Sequence, residues 1–344
     1  MATLKDIAKD CGFSVSVVSR ALNPHPDQQV AAETKRRIEA SMRKLNYRRN
    51  HTASLLARGR SIAIGVFLPR YRDTLITELV FGISAAAIQY DFQCNYYFGM
   101  NANDYLRFFD QLNDAGSSGI LTYHFDNGGA DHRLADAFEK YRNSGGHVIL
   151  LNTPECNNAH DTIFNINNHA GGMLAAKHLL ECGCKSFCCI APATDSFMQN
   201  TRCSGFAEKL AEHGFAVKQI RVPFCNFQEY DAEVLSQTVR MLASDEKVGI
   251  FASSDYLALL LIRELHRNDA GNEIGKRIHI VGFDNMPAAT FSTPALSTIS
   301  QPFYHLGYIS MAHLIATITG ENPPDTKVPE PELIVRASSS PEKN

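Results

Sequence analysis

The amino-acid sequence predicts an all-α helix-turn-helix head joined to an α/β body of two doubly wound parallel-sheet subdomains. Two short helical patterns separated by a glycine open the chain, and from residue 61 onward β-branched or aromatic runs alternate with helical patterns. This alternation is typical of parallel sheets covered by helices on both faces. At 344 residues the chain also exceeds the ~250–300 residues at which a single hydrophobic core stops growing. We therefore expect a head at 1–48, a linker at 49–60 and a body at 61–344.

The first helix of the head is predicted to begin at Thr3, whose hydroxyl can accept from an early helix amide while an acidic residue three positions on completes a capping box. Gly12 can adopt the left-handed conformation that ends this helix, and Ser14 can cap the second one. Two short helices that cross steeply need a small residue at the crossing and an apolar contact on the second helix, which Ala8 and Val18 supply. The spacing therefore predicts a helix-turn-helix.

Positive charge is concentrated at the start of the chain. Residues 1–60 contain 12 Lys and Arg against 5 Asp and Glu, a net charge of +7, whereas the remaining residues carry −10. A basic head on an acidic body is expected when a small domain binds a polyanion. A third helix, predicted over 32–45, presents its lysines and arginines outward. A solvated basic face is the alternative interpretation of this charge.

The exposed start of the second helix carries small side chains and hydrogen-bond donors, namely Val15, Ser16, Ser19 and Arg20. Such side chains fit the major groove of a DNA duplex, where Arg20 can reach a guanine edge or a phosphate. A plain three-helix bundle without a nucleic-acid role is the competing interpretation.

Three ordered stretches carry a resemblance to a known family: Thr3-Leu4-Lys5-Asp6-Ile7-Ala8, Gly12-Phe13-Ser14 and Val18-Ser19-Arg20-Ala21-Leu22-Asn23. They resemble the head of the LacI/GalR transcription regulators, although Val17 stands where the family usually has Thr. The resemblance implies a homodimer whose heads read a pseudopalindromic operator in double-stranded DNA. It places the DNA contacts at Thr3, Leu4, Ser14, Val15, Ser16, Ser19, Arg20, Asn23, Asn50, Ala53 and Leu56.

The linker at 49–60 is too short to be a stable helix alone, because isolated helices below ~12–15 residues are marginal in water. In the family that this chain resembles, the equivalent segment becomes helical on DNA and a leucine wedges between base pairs in the minor groove. Leu56 stands at that position. The alternative is a flexible tether whose Leu55 and Leu56 pack on the body.

The body is predicted to contain strands at 62–68, 93–98, 119–123, 147–151, 186–190, 249–252, 279–282 and 333–336. Helices are predicted at 75–90, 105–115, 170–182, 202–213, 230–243 and 256–268. The resemblance implies a periplasmic-binding-protein-like body in which the chain crosses between subdomains three times. The first subdomain would then hold about 61–160 plus 293–325, and the second about 161–292 plus 326–340.

Ligands of open α/β sheets bind at the carboxyl ends of the strands, and a cleft between two sheets collects several such ends. Arg202, Asp255 and Asp284 stand at strand ends and match effector contacts of the family. Charged forks bind vicinal hydroxyls bidentately, so the resemblance implies a small-molecule effector, a carbohydrate. A surface salt bridge is the alternative for Arg202, and helix or turn capping for the aspartates. The weaker candidates for the same site are Asp73, Leu75, Ile76, Tyr123 and Asn152.

Other classes of function find no support in the sequence. It has no catalytic constellation, metal-ligand spacing or cofactor motif, so we expect a non-enzyme without metal or cofactor. The longest apolar run, Ala252–Ile262, is shorter than the ~20 residues of a membrane span, and no signal peptide is recognised. The nine cysteines suggest free thiols in a reducing compartment, and those around Phe187–Ile190 suggest a buried strand.

These observations predict a cytoplasmic, homodimeric transcription regulator, a repressor by family default, whose operator affinity is modulated by a sugar bound between the two subdomains. A tetramer is not expected, because no leucine heptad follows the last predicted strand. The alternatives are a cytoplasmic carbohydrate-binding protein and a sugar-processing enzyme, neither with a role on DNA.

Overall fold

A computed structural model describes residues 3–22, 30–45, 47, 62–70, 74–115, 117–123, 132–154, 162–194, 196–226, 229–230, 246–324 and 327–340. The chain divides into two compact units, Met1–Arg58 and Gly59–Asn344. The predicted linker helix lies outside the described residues, as does most of the helix predicted over 230–243.

The head contains three helices, α1 (Leu4–Cys11), α2 (Val15–Leu22) and α3 (Ala32–Lys44). Thr3 forms the predicted capping box with Asp6, and Gly12 ends α1 with a φ of 72°. The core of the head is formed by Ile7, Val18 and Ile38, each completely buried. The described part of the head is therefore the helix-turn-helix and third helix that the sequence predicts.

Two of the five basic side chains predicted to point outward from α3 also contact α1. The Arg37 guanidinium donates to the Cys11 carbonyl at 3.0 Å and lies 4.8 Å from the centroid of the Phe13 ring. The Lys44 ammonium donates to Asp10 at 2.7 Å. Both side chains stay exposed, as predicted, so they contact α1 from the surface of the head.

The first subdomain contains a five-stranded parallel sheet in the order β2-β1-β3-β4-β5. Its strands are β1 (Ala63–Pro69), β2 (Gln93–Gly99), β3 (Gly119–Tyr123), β4 (His147–Leu151) and β5 (Thr162–Phe164). The helices between them are α4 (Thr74–Gln89), α5 (Ala102–Ala115) and α6 (His132–Asn143). Because β1 and β3 are buried on both faces, they are continuous apolar runs without alternation.

The second subdomain contains a six-stranded sheet in the order β13-β12-β11-β10-β6-β7, in which only the edge strand β13 is antiparallel. Its strands are β6 (Ser186–Pro192), β7 (Val217–Val222), β10 (Val248–Ala252), β11 (Ile278–Asp284), β12 (Ser297–Ser300) and β13 (Glu332–Ile334). The helices are α7 (Asn168–Glu181), α8 (Phe197–Ala211), α9 (Asp255–Arg267) and α10 (Pro287–Phe291). A short hairpin of β8 (Phe224–Asn226) and β9 (Glu229–Tyr230) follows β7, so the helix predicted from residue 230 does not begin there.

A last long helix, α11 (Phe303–Thr319), packs against α4 and returns the chain to the first subdomain. The chain thus passes between the two sheets after β5, after β12 and again before β13. The predicted boundaries near 161 and 293 are wrong in detail, because β5 pairs in the first sheet and β12 pairs in the second. No helix among the described residues has both the length and the apolar character needed to cross a bilayer.

Candidate functional site

Arg202 lies in α8 and is 5% exposed. Its guanidinium donates four hydrogen bonds, each to a residue at or just beyond the carboxyl end of a strand or at a crossing between the subdomains. The acceptors are Asn168 Oδ1 at 2.8 Å, the Ser253 carbonyl at 2.8 Å, Asp284 Oδ1 at 3.3 Å and Gln301 Oε1 at 3.2 Å. The guanidinium carbon also lies 3.9 Å from the centroid of the Phe283 ring. A cation held this way keeps a fixed orientation, as a ligand clamp requires.

Asp284 is the partner of Arg202 that keeps some exposure. Its side chain is 13% exposed, and Oδ1 accepts from Gln301 Nε2 at 2.7 Å as well as from Arg202. The backbone of Asp284 has a φ of 123°, which a residue with a side chain rarely adopts. Such strain at the carboxyl end of β11 is typical of a functional position.

Asp255, the third predicted effector contact, has its carboxylate bound by the protein. It is completely buried, and its two carboxylate oxygens accept from the Thr298 hydroxyl at 2.5 Å and the Met286 amide at 2.7 Å. Burial, followed by the nearby charge of Asp284, raises the pKa of Asp255 to about 8. Ser254, not Asp255, caps α9 by accepting from the Leu257 amide. The carboxyl of Asp255 therefore ties the loop after β11 to β12 beneath the strand ends.

Tyr123 and Asn152 lie at the ends of β3 and β4 in the first subdomain. Both are buried, and Asn152 Nδ2 donates to the Tyr123 hydroxyl at 2.5 Å. Asn152 Oδ1 accepts from the Ile166 amide, and Asn152 itself has a left-handed φ of 46°. In this arrangement Asn152 holds the first crossing of the chain, so its amide is occupied by the protein.

Two of the other predicted effector positions, Leu75 and Ile76, lie at the start of α4. Ile76 is buried in the first turn of α4 and Leu75 is half-buried beside it. Asp73 lies outside the described residues.

Sequence reasoning missed Asn168, Ser253 and Gln301, because single amides and hydroxyls in turns form no recognisable pattern. Three further polar atoms, Thr153 Oγ1, Gln199 Oε1 and Ser253 Oγ, are buried without a hydrogen-bond partner among the described residues. Thr153 follows β4, Ser253 follows β10, and Gln199 lies in the first turn of the helix after β6. Buried polar atoms without partners cost stability unless a ligand or water satisfies them.

The predicted DNA-contacting surface of the head is exposed where the chain is described. Ser14, Val15, Ser16 and Arg20 are exposed, and Ser19 is half-buried. Ser14 Oγ accepts from the Val17 amide at 3.3 Å, which confirms Ser14 as the cap of α2. Thr3 is exposed and Leu4 half-buried at the start of α1. Asn23, Asn50, Ala53 and Leu56 lie outside the described residues.

Over those parts of the chain that the structure describes, no group of three or more His, Cys, Asp or Glu side chains is arranged to hold a metal ion.

Comparison with known proteins gives two domain matches. Residues 3–50 match the model of bacterial regulatory proteins of the lacI family, and residues 176–339 match a periplasmic binding protein-like domain. The HTH-type transcriptional repressor PurR of Photobacterium profundum is 27% identical, with 98% of each chain covered. The ribose operon repressor of Halalkalibacterium halodurans is 28% identical, with 98% of this chain and 97% of the relative covered.

A solved structure of the lac repressor dimer bound to operator and the anti-inducer ONPF has the same fold. It superimposes with a TM-score of 0.64 at 21% identity, over 98% of this chain and 99% of the other.

Proposed function

Because the chain belongs to the LacI family of bacterial regulatory proteins, we propose that it represses transcription by binding an operator, with an affinity set by a small molecule held between the subdomains of its body. The relatives are named as repressors, which points to a non-enzyme. A protein with this function works in the cytoplasm, where the operator lies.

The observation that carries the DNA-binding part of the proposal is the exposed, capped start of α2. Ser16 and Arg20 lie one helical turn apart on this helix, and both are exposed. The Arg20 Nε atom donates to the Ser16 carbonyl at 3.3 Å, which directs the guanidinium along the helix surface. Side chains on one exposed face at the start of a recognition helix can reach adjacent base edges of the major groove.

The chain is proposed to act as a homodimer through the first subdomain. Phe81 and Ile88, seven residues apart and hence on the same face of α4, are 56% and 76% exposed. Phe98 on the edge strand β2 is 48% exposed. Large apolar side chains that stay exposed on one helix face, as Phe81 and Ile88 do, indicate a protein–protein contact. We call Phe81, Ile88 and Phe98 the apolar patch.

The effector is proposed to bind beside Arg202 and Asp284. The carbonyl of Ser253 accepts from Arg202, and the hydroxyl of the same residue has no partner among the described residues. Thr153 Oγ1, just after β4, and Gln199 Oε1, in the first turn of α8, are likewise without a partner there. A ligand with several hydroxyl groups could satisfy them together, which favours a carbohydrate. One relative is a ribose operon repressor, consistent with this class of ligand.

Coupling between the ligand and the head is proposed to run through the crossings. Asn168 stands just after the crossing from β5, and Gln301 stands at the crossing from β12 to α11. Both accept from Arg202, so a ligand that shifts this guanidinium acts directly on two of the segments that join the subdomains. A coupling free energy of ~1–3 kcal/mol would change operator affinity 5–150-fold.

The test is selection of the full chain on a pool of random DNA duplexes. We expect a pseudopalindrome to be enriched, with at least ~10³-fold tighter binding than to random DNA at physiological salt. Arg20→Ala should weaken binding to the selected duplex, whereas Lys177→Ala on the body should leave it unchanged. Enrichment of no sequence, or equal binding to selected and random duplexes, would refute the proposal.

A further inference from the structure

Cys189 and Cys203 are brought together by the packing of α8 on β6. The two sulfur atoms lie 3.1 Å apart, with the Cys189 thiol donating to Cys203 Sγ, and the two residues are 1% and 2% exposed. All seven described cysteines are free thiols. Cys203 directly follows Arg202, so this pair lies one residue from the proposed effector clamp.

We propose that Cys189 and Cys203 form a redox-modifiable thiol pair, which a hydroperoxide converts into an intramolecular disulfide. This goes beyond the proposed function and does not depend on it. A disulfide requires a sulfur–sulfur distance of about 2.05 Å, so the two atoms need to approach by about 1 Å. Closing this gap requires rotation of the two side chains, a displacement of α8 of up to about 1 Å, or both.

The two cysteines differ in the roles that they can take. The hydrogen bond from Cys189 lowers the pKa of the Cys203 thiol, as do the cations of Arg221 and Arg202, so Cys203 is the thiol that ionises first. Burial instead raises the pKa of Cys182 to about 11 and that of Cys184 and Cys188 to about 12, which keeps these thiols protonated and unreactive.

The chemistry balances with the hydroperoxide as the oxidant. The Cys203 thiolate attacks the terminal peroxide oxygen, the O–O bond breaks, and the alcohol leaves with the proton that Cys203 lost, giving a sulfenic acid. Cys189 sulfur then attacks Cys203 sulfur, the S–O bond breaks, and water leaves with the thiol proton of Cys189. The peroxide is reduced to an alcohol and water, and the two thiols are oxidised to one disulfide.

A disulfide would disturb the hydrogen bonds of Arg202, because close backbone contacts fix the position of α8. A Cβ atom on Gly172 of α7 would lie 2.1 Å from the Arg202 carbonyl, so the two helices cross with no space between their backbones. The hydrogen bonds of Arg202 to Asn168 and to the Ser253 carbonyl are 2.8 Å long. A shift of about 1 Å would take them beyond hydrogen-bonding distance.

The test uses the full-length protein and hydrogen peroxide, with free thiols alkylated before digestion by trypsin. Cleavage after Lys185, Arg202 and Lys209 places Cys203 in the peptide 203–209 and Cys189 in 186–202. We expect these peptides to be joined, with a loss of 2 Da that dithiothreitol reverses. The joined peptides should be absent in Cys203→Ser and Cys189→Ser.

Cys188→Ser is the matched control, because Cys188 neighbours Cys189 but packs in the hydrophobic cluster on the other face of the sheet. The joined peptides should persist in this variant. Alkylated Cys203 after peroxide treatment, or a link from 203–209 to Cys188 or to the peptide 178–185, would overturn the proposal. The mapping on the wild-type chain decides the result even where a variant folds poorly.

Discussion

Arg202 is the residue on which the site depends, because its guanidinium is bound by acceptors from four different segments of the second subdomain and its crossings. The sequence singled out Arg202 and Asp284 because they match family positions. Asp284 lies at the end of β11 as predicted, whereas Arg202 lies within α8 and not at a strand end, and contact of either with an effector stays a prediction. Asn168 and Gln301 could not be predicted, because their roles arise only when the crossings bring them to the guanidinium. Asp255 was predicted as a ligand contact because it follows a strand, and position after a strand does not reveal whether a carboxylate lies at the surface or beneath it.

Arg202→Ala should lower the free energy of unfolding of the body by about 3 kcal/mol, because it leaves Asp284 and three other acceptors without their donor in a buried site. Urea unfolding followed by circular dichroism measures this loss. Lys177→Ala is the control, since Lys177 is 65% exposed in a surface ion pair and should change stability by less than ~0.5 kcal/mol. Equal effects of the two variants would contradict the role given to Arg202.

The raised pKa of Asp255 predicts that the folded chain becomes less stable as the pH rises. Its folded-state pKa is raised to about 8, so between about pH 4 and pH 8 the folded chain binds the proton that the unfolded chain releases. Its contribution to stability is therefore complete below about pH 4 and is lost progressively as the pH rises to the folded-state pKa of about 8, by up to ~1.4 kcal/mol per pH unit.

Asp255→Asn imitates the protonated carboxyl and should remove this dependence. We expect the variant to be more stable than the wild type at pH 8 and the difference to shrink steadily as the pH falls toward 4, as measured by urea unfolding between pH 8 and pH 5. Glu273→Gln, at a half-exposed surface carboxylate, should show no such convergence. A difference that grows toward low pH would contradict the assignment.

Helices and strands with a clear hydrophobic pattern were predicted from the sequence. Elements that are too short or too uniformly apolar to show such a pattern were missed. The strands β3 and β4 lie at the predicted residues because each is a short apolar run between turns. The helix α11 was missed because it is apolar nearly all round, which hides helical periodicity. The strands β5 and β12 have three and four residues, too few to establish a pattern of their own.

The contact between α4 and α11 depends on two glycines. A Cβ on Gly82 would lie 1.9 Å from the Tyr304 carbonyl oxygen, and a Cβ on Gly307 would lie 2.3 Å from the Leu79 carbonyl oxygen. Backbones can approach this closely only where the side chain is absent.

Gly82→Ala should therefore destabilise the body by about 1–3 kcal/mol, although Gly→Ala usually stabilises a helix interior. Thermal unfolding compared with the exposed Glu78→Ala on the same helix measures the effect. A stabilised Gly82→Ala protein would show that the two helices are not in close contact.

Ile88→Asp should convert the dimer into a monomer, because it buries a charge in the proposed apolar patch. Sedimentation equilibrium of the full chain measures the mass, and Glu139→Lys on the exposed face of α6 should leave it unchanged. A dimer that persists in Ile88→Asp at the same concentrations would place the subunit contact elsewhere.

For the whole molecule, the composition and the order of patterns were sufficient to predict a helix-turn-helix head and a two-sheet body. The limits of the subdomains were not, because short strands such as β5 and β12 pair with a sheet that only the folded chain identifies. Function at this scale follows from having both parts in one chain: a basic head that can bind DNA and a body whose crossings converge on Arg202.

The most direct test of this account is the affinity of the full chain for its selected operator, measured by fluorescence anisotropy with and without compounds from a panel of monosaccharides, sugar phosphates and nucleobases. We expect one class of compound to change the dissociation constant 5–150-fold in the wild type and not in Asp284→Asn. An operator affinity that no binding compound alters, or one that changes equally in Asp284→Asn, would contradict a regulator controlled through this site.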